Sequence, residues 1–266
     1  MRRFMFGLIT LTLTLGACSS DDGGGSDATS PTEPAEATEL AVFAASSLTD
    51  AFTDEIGPAF ESEHGGTTVV FNFAASDALA RQIQSEGTAD VFASASGTWM
   101  DAVAEDPGVS DRTDFVQNRL VIITPPDNPA DIASIEDLGS DGVQLVLAAE
   151  GVPVGDYSRE AVANAGVAKE AEANVVSNEE DNASVVAKIA AGEGDAGIVY
   201  ESDISAAAGN DVAAVEIPDE VNVIATYPIA VVQGAPSADL ASEFVAYVTG
   251  PDGQATLERY GFVPIT

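Results

Sequence analysis

The sequence predicts an α/β fold, and three observations lead there. Short apolar runs of strand length alternate with longer amphipathic runs from Glu39 onward. Strands separated by helices favour parallel-type sheets. Two of the strand-to-helix junctions, about thirty residues apart, carry serines where the helices begin. The stretch from Glu39 to Thr266 is long enough for one large or two modest α/β domains.

The elements follow in order. Residues 40–44 read as a strand and 48–64 as a helix, broken or bent near Gly57-Pro58 because proline lacks the helical N–H. A strand over 69–73 precedes a helix over 77–86, and a strand over 91–94 precedes a helix near 98–104. Residues 120–124 form a long apolar strand, and Ile135 opens a turn or short helix. A strand over 145–148 leads to a helix over 156–165, then a strand over 174–176 to a helix over 179–191. The strand over 197–200, the strand-like stretch 223–234 and helices over 238–249 and 251–260 complete the chain. Gly261 is placed to cap the last helix. No repeat points to a solenoid.

The serine junctions carry the first functional signal. Residues 39–50 read Glu-Leu-Ala-Val-Phe-Ala-Ala-Ser-Ser-Leu-Thr-Asp, and Ala74-Ala75-Ser76-Asp77 follows the next strand. A lone serine before a helix is usually only its cap. Two at neighbouring helix starts make a place to hold an anion, where N–H groups and the positive dipole end point outward and hydroxyls add donors. Three further segments are ordinary taken singly. Gly151-Val152-Pro153-Val154-Gly155 is a loop whose glycines let the backbone approach a ligand closely. Glu179-Glu180-Asp181-Asn182 is an acidic helix start. Gly197-Ile198-Val199-Tyr200 is a buried strand ending in a tyrosine, at the end of a sheet where α/β crevices lie.

The N-terminus reads as an export signal over 1–17. Arg2 and Arg3 are followed by an apolar run over 4–15, too short to span a bilayer. Leu15-Gly16-Ala17-Cys18 resembles the bacterial lipoprotein cleavage box, which implies cleavage before Cys18 and lipid on its thiol. Cys18 is the single cysteine, so no internal disulfide forms. Residues 18–38, rich in Ser, Asp, Gly, Thr and Pro, are expected to be a flexible tether. An extracytoplasmic, membrane-anchored domain is the expectation.

The chain carries 44 acidic and 9 basic side chains, a formal charge of −35. Nucleic acid and anionic membrane surfaces are poor partners for such a protein. Anionic small ligands are not excluded: exposed charges are screened within about 10 Å, while a buried site feels mainly its own dipoles.

An ordered set of segments resembles the bacterial molybdate-binding proteins of ABC importers. It comprises Phe43-Ala44-Ala45-Ser46-Ser47-Leu48, Ala80-Arg81-Gln82-Ile83, Ala89-Asp90-Val91-Phe92 and Trp99-Met100-Asp101. Gly197-Ile198-Val199-Tyr200, Tyr227-Pro228-Ile229-Ala230-Val231-Val232 and Arg259-Tyr260-Gly261-Phe262 complete it. The resemblance implies a two-lobed periplasmic-binding-protein type II fold with a ligand cleft between the lobes. It places lobe 1 at 39–119 plus 225–266 and lobe 2 at 120–224. It further implies that Ser47 and Ser76 bind a tetrahedral oxyanion by hydroxyl and N–H, that Val154 and Asn182 each give a backbone N–H, and that Tyr200 donates its hydroxyl. The family often has a small residue where Val154 stands and an apolar one where Asn182 stands. Asp77, beside Ser76, is expected to point to solvent, and Arg81 to be structural or on the surface. The implied ligand is molybdate, with tungstate not distinguished, and no cofactor or metal cation. The implied partners are permease subunits and, through Cys18, the membrane; the protein is expected to be a monomer.

Three other readings compete. Another anion, such as sulfate or a carboxylate, would use the same donors. A serine hydrolase would need His64, the single histidine, in a Glu63-His64-Gly65-Gly66 segment that is similar to esterase oxyanion loops; no Gly-x-Ser-x-Gly elbow accompanies it. A metal site would lack His and Cys ligands, and no calcium-loop spacing occurs.

Overall fold

A computed structural model describes residues 38–206 and 211–265. The expected leader, Cys18 and most of the linker lie outside the described residues; the first strand already includes Thr38. Eleven strands among the described residues form two sheets. Strands β1 (Thr38–Ala45), β2 (Thr67–Ala74), β3 (Val91–Ala93) and β4 (Val109–Asn118) belong to the first sheet. The second holds β5 (Leu120–Thr124), β6 (Leu145–Ala148), β7 (Val175–Glu179), β8 (Ala196–Tyr200) and β9 (Ala213–Glu216). The chain then returns to the first sheet with β10 (Ala225–Val232) and β11 (Val263–Pro264). The strand orders are β11-β4-β10-β3-β1-β2 and β7-β6-β8-β5-β9.

The sheets are mixed, which corrects the parallel expectation. Strands β1, β2 and β3 run parallel, as do β6, β7 and β8. The return strand β10 is antiparallel to β3 and β4, and β5 is antiparallel to β8 and β9. The reason is connectivity: β5 follows β4 and β10 follows β9 directly from the other sheet, with no crossover helix between them. Strand β4 was not expected because five of its ten residues are exposed, so no apolar run marks it. The short edge strand β9 and the helices Ala168–Ala173 and Glu201–Ala206 also escape the sequence pattern.

The chain crosses between the sheets twice, after Asn118 and between Glu216 and Ala225. Asn222 ties the two crossings together. Its Nδ2 donates to Leu120 O (2.9 Å), and its Oδ1 accepts from Leu120 N (3.1 Å). Arg119 and Asp219 form an ion pair at the same place.

The run over 46–63 is one continuous helical path whose geometry changes along it. A 3₁₀ turn (Ser46–Leu48) passes into α (Thr49–Ala51), π (Phe52–Ile56) and α again (Gly57–Glu63). Leu48, Phe52, Ile56 and Phe60 recur every fourth residue and are fully buried. Each burial of this kind contributes about 1.5–3 kcal/mol. Phe244 meets Phe60 and Phe52 edge-on, at 5.1 and 6.0 Å between ring centroids. This packing fixes where the helical run starts, and so where Ser46 and Ser47 stand.

In the second sheet the helix Pro153–Asn164 begins directly on the end of β6. Gly155 permits it: a Cβ there would lie 2.3 Å from Ala149 O and 2.5 Å from Ala148 O. The substitution Gly155→Ala should therefore cost about 1–3 kcal/mol of stability through overpacking. Urea denaturation of the two proteins measures it, and an unchanged midpoint would refute the close approach.

Candidate functional site

Ser47, Ser76, Val154, Asn182 and Tyr200 all line one small cavity between the two lobes, with about 200 Å³ of atom-free space. Ser46, Ala75 and Ala95 share the lining, and no Lys or Arg does. Four of the five follow the C-terminal end of a parallel strand, β1, β2, β6 and β7 in turn, and Tyr200 is itself the last residue of β8. That end of an α/β sheet is where helix N-termini converge and ligands bind.

The serines are not caps. Ala75 is the N-cap of the helix Ser76–Glu86, and Ala45 precedes the first 3₁₀ turn; neither has a side-chain cap bond. Ser76 is therefore a first-turn residue, as are Ser46 and Ser47. The helices of the second lobe begin elsewhere than expected. Pro153 rather than Asp156 opens one, because proline suits the first helical position. Asn182 rather than Glu179 opens the other, because Asp181 caps it by accepting from Ser184 N at 2.8 Å; Glu179 ends β7. Val154 and Asn182 are thus first-turn residues too. The N–H groups of Ser47, Ser76, Val154 and Asn182 are therefore first-turn groups. Such groups are the unpaired donors every helix start leaves.

The hydroxyls are also arranged to donate. Ser76 Oγ accepts from Ala95 N (2.9 Å), which leaves its proton free. Ser47 Oγ lies 2.9 Å from Tyr227 Oη. Asn118 Nδ2 donates to Tyr227 Oη at 3.4 Å and to Ser202 Oγ at 2.8 Å. Either hydroxyl of this pair can donate, and the contact ties Ser47 to the buried Tyr227, Asn118 and Ser202. Tyr200 Oη is buried without a hydrogen-bond partner. A buried hydroxyl left unpaired costs about 1–3 kcal/mol, so its position at the cavity calls for an acceptor there. Burial, then the neighbouring Tyr227, pushes the Tyr200 hydroxyl pKa far up, which keeps it a donor at all ordinary pH.

Three residues here were not singled out from the sequence. Tyr227 stood only inside a matched segment. Asn118 ends a strand without an apolar signature. Asp203 is one of 44 acidic residues, yet its carboxylate is buried. Asp203 Oδ1 accepts from Asn182 Nδ2 (2.6 Å) and Oδ2 from Tyr200 N (2.9 Å). Asn182 Oδ1 in turn accepts from Ser46 Oγ, across the cleft.

Asp77 corrects an expectation. Its side chain is only 13 % exposed, rather than turned to solvent, because Arg81 one helical turn later holds it in an ion pair. The Arg81 guanidinium also lies 5.0 Å over the Trp99 ring. Trp99 Nε1 donates to Gly151 O (2.9 Å) in the other lobe. Arg81 is structural, as expected. Gly151 has φ +87°, a conformation glycine adopts without strain. His64 is remote from this chemistry. It stacks on Phe60 and faces Glu243 at 3.2 Å, and it does not line the cavity.

The cavity is lined by first-turn residues of four helical segments and by the hydroxyl-bearing Ser47, Ser76 and Tyr200, with no Lys or Arg. Helix starts add roughly half a positive charge each where the helix is long enough. The matching ligand is a small anion that offers only acceptors.

Burial raises the Asp203 pKa from 3.8 to about 7; the bonds from Tyr200 N and Asn182 oppose the rise, and Asp181 and Asp50 add to it. A carboxyl with a raised folded pKa favours the fold while protonated. Its contribution is full below 3.8 and is lost as pH climbs through about 7. Urea midpoints of the ligand-free protein should therefore fall across this window more steeply than those of Asp203→Asn, which has no such titration. Parallel pH profiles would count against a buried, titrating Asp203.

Comparison with known proteins places these features. The family model described as bacterial extracellular solute-binding protein matches residues 40–263. The molybdate-binding protein ModA of Mycobacterium tuberculosis is 38 % identical over 260 residues, 96 % of each chain. The periplasmic molybdate-binding protein of Azotobacter vinelandii superposes with a TM-score of 0.73 at 17 % identity, over 85 % of this chain and 100 % of that one. The sulfate-binding protein SubI of Mycobacterium tuberculosis superposes equally, with a TM-score of 0.73 at 18 % identity, over 86 % and 87 % of the two chains. At such identities the two structures establish the fold alone.

Proposed function

We propose, from the premise that this chain belongs to the bacterial extracellular solute-binding proteins, that it captures molybdate outside the cytoplasm for an ABC importer. One observation carries the reading. Ser47, Ser76, Val154 and Asn182, each in a first helical turn, and Tyr200, whose hydroxyl is unpartnered, line a single small cavity with no Lys or Arg in its lining. The 38 % identical relative that bears the name molybdate-binding protein supports the choice among anions.

Molybdate is fully deprotonated at neutral pH and offers only acceptors, so a site of donors satisfies it. Four N–H groups and the hydroxyls of Ser47, Ser76 and Tyr200 supply these donors, and no proton has to be shared. Each hydrogen bond to a charged group contributes about 1.5–3 kcal/mol. Selection against sulfate then rests on cavity size, since sulfate is a smaller tetrahedron of equal charge. Tungstate, nearly the size of molybdate, is expected to bind as well. The protein is a carrier rather than a catalyst: the one histidine is committed to Phe60 and Glu243. It acts as a monomer that delivers its anion to permease subunits. The hinge between lobes 39–119 plus 225–266 and 120–224 lies at the two crossings that Asn222 joins.

Titration calorimetry with molybdate, tungstate, sulfate and phosphate tests the assignment. Molybdate and tungstate should bind far more tightly than sulfate; a sulfate preference would overturn the reading. Tyr200→Phe should weaken molybdate by about 1.5–3 kcal/mol. Its ligand-free stability should not fall, because the hydroxyl it removes has no partner. Unchanged affinity would remove Tyr200 from the site.

Lipid on Cys18 is proposed to hold the domain at the outer face of the cell membrane, with the linker as tether. Wild type should then partition with membranes while Cys18→Ser is released, since several acyl chains anchor stably where one does not. Equal release of both would exclude the anchor.

A further inference from the structure

The donors of the anion cavity explain the backbone of Asn182 but not its side chain. That side chain joins the two lobes. Asn182 Oδ1 accepts from Ser46 Oγ, which belongs to the first lobe, while Asn182 Nδ2 donates to Asp203 Oδ1 at 2.6 Å in the second. Asp203 Oδ2 is taken by Tyr200 N at 2.9 Å. Ser46 and Asn182 also line a second, larger cavity of about 880 Å³ that includes Asp50, Val186, Asp203 and Tyr260. The pair therefore stands as the partition between that open cavity and the small one.

We propose that Ser46, Asn182 and Asp203 form a latch that holds the lobes closed and seals the anion cavity from the larger cleft behind it. The inference rests on the oxyanion reading of the site and adds to it residues that touch no anion by their side chains. The polarity of the chain is set by Asp203. Both Asp203 oxygens accept, Oδ2 from Tyr200 N and Oδ1 from Asn182 Nδ2, so the Asn182 amide turns its NH₂ toward them. The amide oxygen then faces Ser46, whose hydroxyl must donate. Because Asp203 also receives Tyr200 N, the same carboxylate positions the strand end that carries the Tyr200 hydroxyl. Asp203 and Asn182 are positioning residues in this scheme.

An apolar residue in place of Asn182 would keep the backbone N–H and lose the latch. The latch acts on the closed state, so it governs release of the anion more than its capture. Each of Ser46→Ala and Asn182→Val should speed molybdate release roughly five- to tenfold, with association little changed. The double variant should be no faster than Asn182→Val alone, because Ser46 has no latch bond left to lose once the amide is gone. Trp99, the one tryptophan, bonds across the cleft to Gly151, so its fluorescence in stopped flow reports opening.

Circular dichroism establishes that each variant is folded. If Asn182→Val is not, Asp203→Asn replaces it in the cycle, since a carboxamide cannot accept from both Tyr200 N and Asn182 Nδ2 through its two ends. Release rates unchanged in the single variants, or rate effects that multiply in the double, would overturn the latch. The measurements use whichever oxyanion of the calorimetric panel binds wild type. A failure of molybdate alone thus bears on the ligand, and failure of every oxyanion overturns both readings.

Discussion

The structure depends on one constraint: helix starts, which leave backbone N–H groups without intrahelical acceptors, are gathered around a small interlobe cavity. Burying an unpaired donor is costly, and the Tyr200 hydroxyl at this cavity lacks a partner. Only a ligand made of acceptors relieves that cost. Neutral donors do this without a buried cation, whose desolvation would have to be met by the anion itself. The site therefore recognises charge through dipoles and direction.

This explains how a protein with a formal charge of −35 holds an anion. Most of its carboxylates face solvent, where their fields are screened within about 10 Å. Asp203 instead stands partly buried beside the site. Its position is tolerated because Tyr200 N and Asn182 Nδ2 both donate to it and because its pKa rises to about 7. A buried carboxylate next to an anion cavity would be a liability if it served no purpose. Here it orients the amide that bridges the lobes and the strand end that bears Tyr200.

Each lobe solves the same geometric problem with a different local device. In the first lobe, Leu48, Phe52, Ile56 and Phe60 clamp a helical run against the sheet and so set Ser46 and Ser47. In the second, Gly155 lets a helix begin on top of β6, and Asp181 caps the helix that starts at Asn182. The Arg81–Trp99–Gly151 contacts and the Ser46–Asn182 contact then join the lobes at two places around the cavity.

The sequence by itself determined the α/β class, most strands and helices, and five residues that line the interlobe cavity. Apolar runs and serines at strand ends are local signals, and an ordered set of matched segments carried the rest. Helix starts were misjudged by one to three residues, because Pro153 and Asp181 decide them through first-position and capping chemistry that blurs into the acidic background. Strand β4 was invisible because its exposed half carries no apolar pattern. The mixed strand directions, the turn of Asp77 toward Arg81 and the Ser46–Asn182–Asp203 chain were decided by the tertiary structure alone. Each depends on residues far apart in sequence, or on burial, neither of which residue type records. Asp203 reads as one acid among 44 until the fold removes its water and leaves Asn182 and Tyr200 as its partners.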